Sequence, residues 1–140
     1  CTGKPKAYTW DEAKKLRNSF AGRTDWRLPS IDELSTIVYC TDGRSPIQSD
    51  KAGRIATVNG VFADGRCLGE SYQKPTANLA VFPMQNWRSN PDKNYYPYAA
   101  WSGSPDAADP DVAWNVSFNY GNDCWDLKNY GFPVRLVRGQ

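Results

Sequence analysis

The chain has 140 residues, enough for one domain with one hydrophobic core, and its 40% hydrophobic and 23% charged residues are typical of a globular protein. A net charge of +2 at pH 7 is too small for a nucleic-acid-binding polycation, and no apolar stretch approaches the roughly 20 residues of a membrane-spanning helix. The sequence has no histidine, which excludes Ser/His and Cys/His nucleophilic pairs and nearly all zinc hydrolase sites.

Two capping boxes predict two helices in the first half of the chain. The first, TWDE at 9–12, precedes apolar residues at helical spacing, and Gly22 supplies a stop, so the predicted helix covers about 10–21. The second, SIDE at 30–33, precedes another apolar stripe and predicts a helix over 31–39.

Strands are predicted in the second half, where apolar residues recur with a period of two. Residues 41–75 are rich in glycine and predict an irregular loop with one small hairpin near Val58–Phe62. Strands are expected at Tyr98–Ser102, Val112–Asn119 and Pro133–Arg138. Helices followed by strands in one short domain predict an α+β fold with an antiparallel sheet.

The four cysteines predict a disulfide framework. Their wide spacing contains no C-x-x-C pair, and an even number of scattered cysteines is typical of proteins from oxidising compartments. Of the three possible pairings we favour Cys40–Cys67 together with Cys1–Cys124, and four buried thiols are the alternative. No cofactor and no metal site is predicted.

Several motifs, taken in order, resemble one known family. They are YTWDEA at 8–13, DWRLPSIDEL at 25–34, Trp101-Ser102, AWNVSF at 113–118 with Gly121, and VRLVR at 134–138. Together they resemble the bacterial domain family typified by the C-terminal domain of the Legionella collagen-like adhesin, and DWRLP before an acidic helix is the most specific part. The long 41–75 stretch and the position of Cys124 depart from the family pattern, so ligand identity does not carry over.

The resemblance implies a C-type-lectin-like fold, with two helices packed on an antiparallel sheet and long irregular loops, on a secreted or surface-exposed bacterial protein. Several members of the family are adhesins or bind host glycans. We therefore expect residues 1–140 to form a single domain of this kind, as a piece of a longer protein. Attachment of family members to collagen-like stalks also implies homo-oligomers built through a stalk or fibre.

Most motif residues are expected to be scaffold. Arg27 lies between the two helices, where an arginine more often pairs with a carboxylate or a carbonyl than with a ligand. Arg135 and Arg138 flank the terminal strand, and Trp101 and Trp114 lie in strands, so we expect these four in the scaffold and the core as well.

The candidate binding residues are aromatic, amide and acidic side chains in two segments. Residues 119–130 read NYGNDCWDLKNY and 94–98 read NYYPY, and we expect the former to be a long loop after the strand Val112–Asn119. Rigid rings stack on sugars or fill partner pockets, while amides and carboxylates form hydrogen bonds at low entropic cost. Ordinary turn composition is the alternative. The predicted ligand-binding residues are Tyr95, Tyr96, Tyr98, Tyr120, Asn122, Asp123, Trp125, Asn129 and Tyr130.

The expected function is a non-catalytic extracellular adhesin or binding module for a glycan, sulfated glycans included, or for a protein receptor. Alternatives are a tip or assembly module of a surface fibre or pilus, and a diversified receptor-binding protein of a diversity-generating retroelement, whose targets share this fold and the Asn/Tyr bias. We expect neither nucleic-acid binding nor membrane insertion. An enzyme would need a carboxylate pair such as Asp123 and Asp126, or reactive Cys67 and Cys124.

Two clusters of charged residues could form binding sites other than the aromatic segments. Basic residues on and before the first helix offer a second site for sulfated glycans, although a solvated helix face is the commoner meaning of such a run. They are Lys4, Lys6, Lys14, Lys15 and Arg17. The acidic residues Asp106, Asp109 and Asp111 lack the spacing and glycine of an EF-hand, so they indicate a solvated loop rather than a calcium site.

Overall fold

The computed structural model describes residues 6–16, 22–39, 57–58, 61–62, 73–82 and 98–139. Its elements are α1 (Trp10–Lys14), β1 (Trp26–Arg27), α2 (Ile31–Ser35), β2 (Thr57–Val58), β3 (Val61–Phe62), β4 (Ala99–Pro105), β5 (Val112–Ser117), β6 (Asn122–Leu127) and β7 (Val137–Arg138). Two short helices with antiparallel sheets confirm the α+β class. No helix among these residues is long and apolar enough to cross a membrane.

Both predicted capping boxes are present. Thr9 Oγ1 accepts a hydrogen bond from the Glu12 amide at 3.4 Å, and the Thr9 amide donates to Glu12 Oε2 at 3.0 Å. Ser30 and Glu33 make the same reciprocal pair at 3.1 and 2.8 Å. These bonds satisfy amides that a helix start would otherwise leave without a partner, which is why the sequence located both starts correctly.

Both helices end sooner than the sequence predicts. The helix expected over 10–21 ends at Lys14, because Leu16 already bonds three residues back instead of four. The helix expected over 31–39 ends at Ser35, and Val38 instead forms a bridge with Ala77. Apolar spacing continues past Ser35, but the pairing of Val38 with Ala77 takes that residue out of the helix.

The central sheet has the order β4-β5-β6, and both pairs are antiparallel. Strand β5 pairs along its whole length with β6, from Val112↔Leu127 to Ser117↔Asn122. The turn that joins them ends at Gly121, whose φ of 68° is a backbone conformation that favours glycine. The register between β4 and β5 shifts between Trp101 and Pro105, where the sheet carries an irregularity.

The helices cover opposite faces of this sheet and so create two cores. The cluster on the α2 face comprises Leu34, Val38, Ala77, Ala100, Val116 and Phe118. The cluster on the α1 face comprises Trp10, Ala13, Leu28, Ala99, Trp101, Ala113 and Phe132. Burial of Trp101 confirms its predicted core position, whereas Trp114 is only half-buried. Strand β5 alternates polar and apolar residues, yet Asn115 and Ser117 are buried as well because both faces are covered.

The segment before α2 is tied to the last described strand. Strand β1 pairs with β7 through Trp26↔Arg138 and Arg27↔Val137. The strand predicted over Pro133–Arg138 is thus shorter than expected, and its first part makes only an isolated bridge from Val134 to Trp101. The small hairpin predicted near Val58–Phe62 is confirmed as β2 paired with β3. The remainder of the predicted loop at 41–72 lies outside the described residues.

Candidate functional site

In the DWRLP segment Arg27 pairs with a carboxylate and with carbonyls, as predicted. The Arg27 guanidinium donates to both carboxylate oxygens of Glu33 at 2.7 and 2.8 Å, to the Gly139 carbonyl at 2.9 Å and to the Leu28 carbonyl at 3.2 Å. The hydrogen bonds from Arg27 lower the pKa of Glu33 to about 2, and the hydrogen bond from the Ser30 amide contributes to this shift. A guanidinium with this many partners has little capacity left for a ligand.

A second ion pair extends the scaffold to the last strand. Arg138 donates to both oxygens of Asp25, with the nearest approach at 3.0 Å, and lowers the pKa of that carboxyl group. Its guanidinium also lies 5.7 Å from the centre of the Trp26 ring. Arg135 is half-buried, and its burial lowers the pKa of the guanidinium. The ion pair of Arg138 agrees with its predicted scaffold role, and the role of Arg135 stays a prediction.

The prediction that residues 119–130 form a long loop is wrong, because Asn122–Leu127 is strand β6. Asn, Asp and Gly favour turns in isolation, but hydrogen bonding to β5 overrides that preference. Alternate residues therefore face opposite sides of the sheet. Asp123, Trp125 and Leu127 share one face, which we call the outer face of β6.

Large apolar side chains are exposed on this outer face. Trp125 is 61% exposed and Leu127 43% exposed, although both belong to a paired strand. Trp114 lies directly opposite Trp125 on β5 and is half-buried. Tyr120, in the turn before β6, is 41% exposed, and the Lys74 ammonium lies 4.9 Å from the centre of its ring. The sheet thus presents an apolar surface on a fixed backbone.

The opposite face of β6 is polar and engaged within the fold. Asn122 Nδ2 donates to the Asp123 carbonyl at 2.9 Å and lies 3.0 Å from Cys124 Sγ. Asn115 Nδ2 donates to Asp126 Oδ2 at 2.9 Å, and burial raises the pKa of Asp126. Asp123 and Asp126 lie on opposite faces of the strand, so the carboxylate pair considered for glycoside hydrolysis does not converge.

The remaining predicted site residues do not form one cluster. Tyr98 packs against the core cluster on the α2 face. Tyr130 packs against the cluster on the α1 face, with its ring centre 6.5 Å from that of Phe132. Asn129 is exposed in the turn after β6. Tyr95 and Tyr96 lie outside the described residues.

An open cleft of about 560 Å³ lies at the end of β6, beyond Trp125. It is lined by Thr9, Asp11, Pro110, Asp111, Leu127, Lys128 and Asn129. Only Asn129 was among the predicted site residues. The cleft forms because the start of α1, the turn before β5 and the end of β6 meet, and no local sequence pattern indicates contacts over such separations.

The acidic loop binds its own backbone. Asp106 Oδ1 accepts hydrogen bonds from the amides of Ala108 and Asp109 at 2.8 and 2.9 Å, and Asp109 Oδ1 accepts from the Asp111 amide at 2.9 Å. Within the part of the chain that the structure describes, no group of three or more acidic or cysteine residues could hold a metal ion.

Some basic residues in and near α1 place their ammonium groups close to aromatic rings. Lys14 is 4.3 Å and Lys128 4.6 Å from the centre of the Trp10 ring, and Lys6 is 5.1 Å from that of Tyr8. Lys15 is exposed, while Lys4 and Arg17 lie outside the described residues.

The predicted disulfides remain predictions. Cys1, Cys40 and Cys67 lie outside the described residues. Cys124 is half-buried on β6.

Comparison with known proteins identifies a family. No curated protein and no solved structure matches the chain significantly. The sequence pattern of the Lcl C-terminal domain matches residues 1–138, nearly the whole chain. This is the family that the motifs resemble, and DWRLP, its most specific motif, forms the ion-paired link between α2 and β7 described above. The chain therefore belongs to the Lcl C-terminal domain family.

Proposed function

We propose that this domain is a non-catalytic binding module of a secreted or surface-exposed adhesin, and that it binds a glycan or a protein receptor on the outer face of β6. Its family indicates an adhesin-related domain on a surface or secreted protein. We further propose that the fold is C-type-lectin-like. Two helices packed on an antiparallel sheet support this assignment.

The observation that carries the proposal is the exposure of Trp125. A tryptophan that is 61% exposed in the middle of a paired strand leaves a large apolar surface in water while its backbone stays fixed. Burial of apolar area on binding contributes roughly 25 cal/mol per Å², and little ordering of the main chain opposes it. Rings of this kind are typical anchors for sugars and for protein partners.

The experiment is a screen of a glycan array that includes sulfated polysaccharides, with and without calcium, and of immobilised host extracellular proteins. The protein is then compared with the double variant Trp125→Ala/Tyr120→Ala. Both side chains are exposed, so the variant should keep native melting. Truncation of a central anchor typically costs at least about 2 kcal/mol of binding free energy, or roughly thirtyfold in affinity.

The matched control is Tyr39→Ala, which removes a ring that is 44% exposed and lies outside β6 and its turn. We expect it to bind like the unchanged protein. Full affinity in a folded Trp125→Ala/Tyr120→Ala variant would show that the outer face of β6 is not the binding surface.

The basic face of α1 is a second candidate, for sulfated glycans. The Lys14 ammonium lies 4.3 Å from the centre of the Trp10 ring, and Lys15, the C-cap of α1, adds a second positive charge on this face. Binding there should weaken steeply with salt and fall in Lys14→Glu/Lys15→Glu. Unchanged binding in that variant would eliminate this face.

An assembly role is tested separately. If the domain is a tip or assembly module of a fibre, light scattering should give the mass of an oligomer in solution. A diversified receptor-binding role would instead show variation among close relatives, concentrated at positions such as Tyr120 and Trp125.

A further inference from the structure

We propose that the cleft at the end of β6 binds an uncharged carbohydrate unit, with Asp11, Asp111 and Asn129 as the groups that recognise its hydroxyls. The inference rests on the proposed function and deepens it, because it assigns the class of glycan and a second part of the site. The cleft of about 560 Å³ lies within the range of about 300–1,000 Å³ that is typical of small-molecule sites.

The walls of the cleft are held by hydrogen bonds between distant segments. The Lys128 amide donates to the Asp111 carbonyl at 2.9 Å, and the Trp10 amide donates to the Lys128 carbonyl at 2.9 Å. The Lys128 ammonium also donates to the Pro110 carbonyl. The cleft is therefore shaped before a ligand arrives, which lowers the ordering cost of binding.

The polar groups of the cleft remain available. Asp11, Asp111 and Asn129 are exposed, and their side chains make no hydrogen bond or ion pair with other residues of the described ranges. Two carboxylates accept hydrogen bonds, and an amide both donates and accepts. Sugar hydroxyls can use all of these groups, and hydrogen bonds to a carboxylate are stronger than those between neutral partners.

The cleft meets the outer face of β6 at one residue, Leu127. Leu127 lines the cleft, and Trp125 lies two residues earlier on the same face of the strand. A polar recess beside an exposed ring suits a pyranoside, which has hydroxyls around its edge and C–H groups on its faces. An apolar peptide would leave Asp11 and Asp111 unpaired.

The charges favour an uncharged ligand over a sulfated one. The cleft holds two carboxylates against one ammonium, and the Lys128 ammonium is already engaged with the Pro110 carbonyl and the Trp10 ring. A sulfate ester close to Asp11 and Asp111 would be repelled, whereas hydroxyl groups would not. Sulfated polymers would instead be directed to the basic face of α1.

The test is the variant Asp11→Asn/Asp111→Asn, which keeps the shape of the cleft and removes both charges. The probes are glycan arrays with neutral, sulfated and sialylated members, and dextran with dextran sulfate as a matched soluble pair. We expect the strongest binder to be uncharged, and its affinity to fall about tenfold in the variant. The matched control is Asp32→Asn, which removes an exposed acid from the same position of α2 that Asp11 holds in α1, and it should bind normally.

Each outcome decides the matter. If a sulfated or sialylated glycan binds best, and Asp11→Asn/Asp111→Asn strengthens its binding, the cleft proposal is overturned while carbohydrate binding stands. If the best binder is uncharged but only Trp125→Ala/Tyr120→Ala weakens it, the outer face of β6 stands without the cleft. If no glycan and neither dextran polymer binds, the carbohydrate assignment fails altogether.

Discussion

At the scale of single residues, the DWRLP motif acts as an electrostatic link. Arg27 joins α2 to the chain end through Glu33 and the Gly139 carbonyl, and Arg138 closes a second pair with Asp25. The sequence predicted that Arg27 would pair with a carboxylate or carbonyl, because it lies between the two predicted helices. It could not identify the pairing of Asp25 with Arg138, since these residues are more than a hundred positions apart.

The first prediction concerns Glu33→Gln. Glutamine preserves the capping box but removes the charge that pairs with Arg27. Because the pair is partly exposed, we expect a loss of at most about 1 kcal/mol in the free energy of unfolding at pH 7. The pKa of Glu33 is lowered from 4.5 to about 2, so the contribution of its charge is complete above pH 4.5 and is lost as the pH falls toward 2.

Urea unfolding of both proteins between pH 2 and pH 7 measures this effect. The two stabilities should converge as the pH falls toward about 2. A difference that stays constant over the whole range would show that the charge of Glu33 does not contribute, and Asp32→Asn serves as the control for an exposed acid of the same helix.

At the scale of elements, the sequence predicted the first residues of the helices better than their last residues. Capping boxes at Thr9 and Ser30 are local signals, so both helix starts were predictable. Strand β5 was predictable from its alternation of apolar and polar residues. Strand β6 was missed because its residues favour turns locally, and only pairing with β5 makes them a strand.

Close packing between β4 and the DWRLP segment gives a second prediction. A Cβ atom at Gly103 would lie 3.2 Å from Leu28 Cβ and 3.5 Å from the Leu28 and Pro29 carbonyls, and the Gly103 amide donates to the Pro29 carbonyl at 2.7 Å. Gly103→Ala should therefore cost about 1–3 kcal/mol in the free energy of unfolding, because Leu28 must move away from the new methyl group. Thermal melting compares it with Gly131→Ala, whose new Cβ would make an ordinary contact at 3.4 Å with Ala7 Cβ. Equal melting of the two variants would contradict the packing argument.

At the scale of the whole molecule, one sheet separates two cores, and the candidate site lies at the strand that ends the described sheet. Strands β4 and β5 are largely buried, while β6 places Trp125 and Leu127 toward solvent. The composition of residues 119–130 predicted a binding surface in this region, but it could not show which side chains face outward. That information required the register of β6 on β5. The cleft could not be predicted from the sequence either, because it forms where three segments that are distant in sequence come together.

The third prediction is the disulfide framework, Cys40–Cys67 with Cys1–Cys124. A crosslink that closes a loop of 27 residues would stabilise the domain by roughly 3–4 kcal/mol in the chain-entropy model. Peptide mapping without reduction should recover these two linked pairs. Recovery of all four cysteines as alkylated thiols would refute the framework.

The most direct test of the central claim is hydroxyl-radical footprinting of the protein with and without the best ligand from the array or the protein screen. Trp125 is 61% exposed, so it should oxidise readily in the free protein, and Trp101 is fully buried and serves as an internal reference. On saturation with ligand we expect the oxidation rate of Trp125 to fall severalfold, while that of Tyr39, 44% exposed, stays the same. An unchanged oxidation rate of Trp125 at saturation would contradict recognition on the outer face of β6.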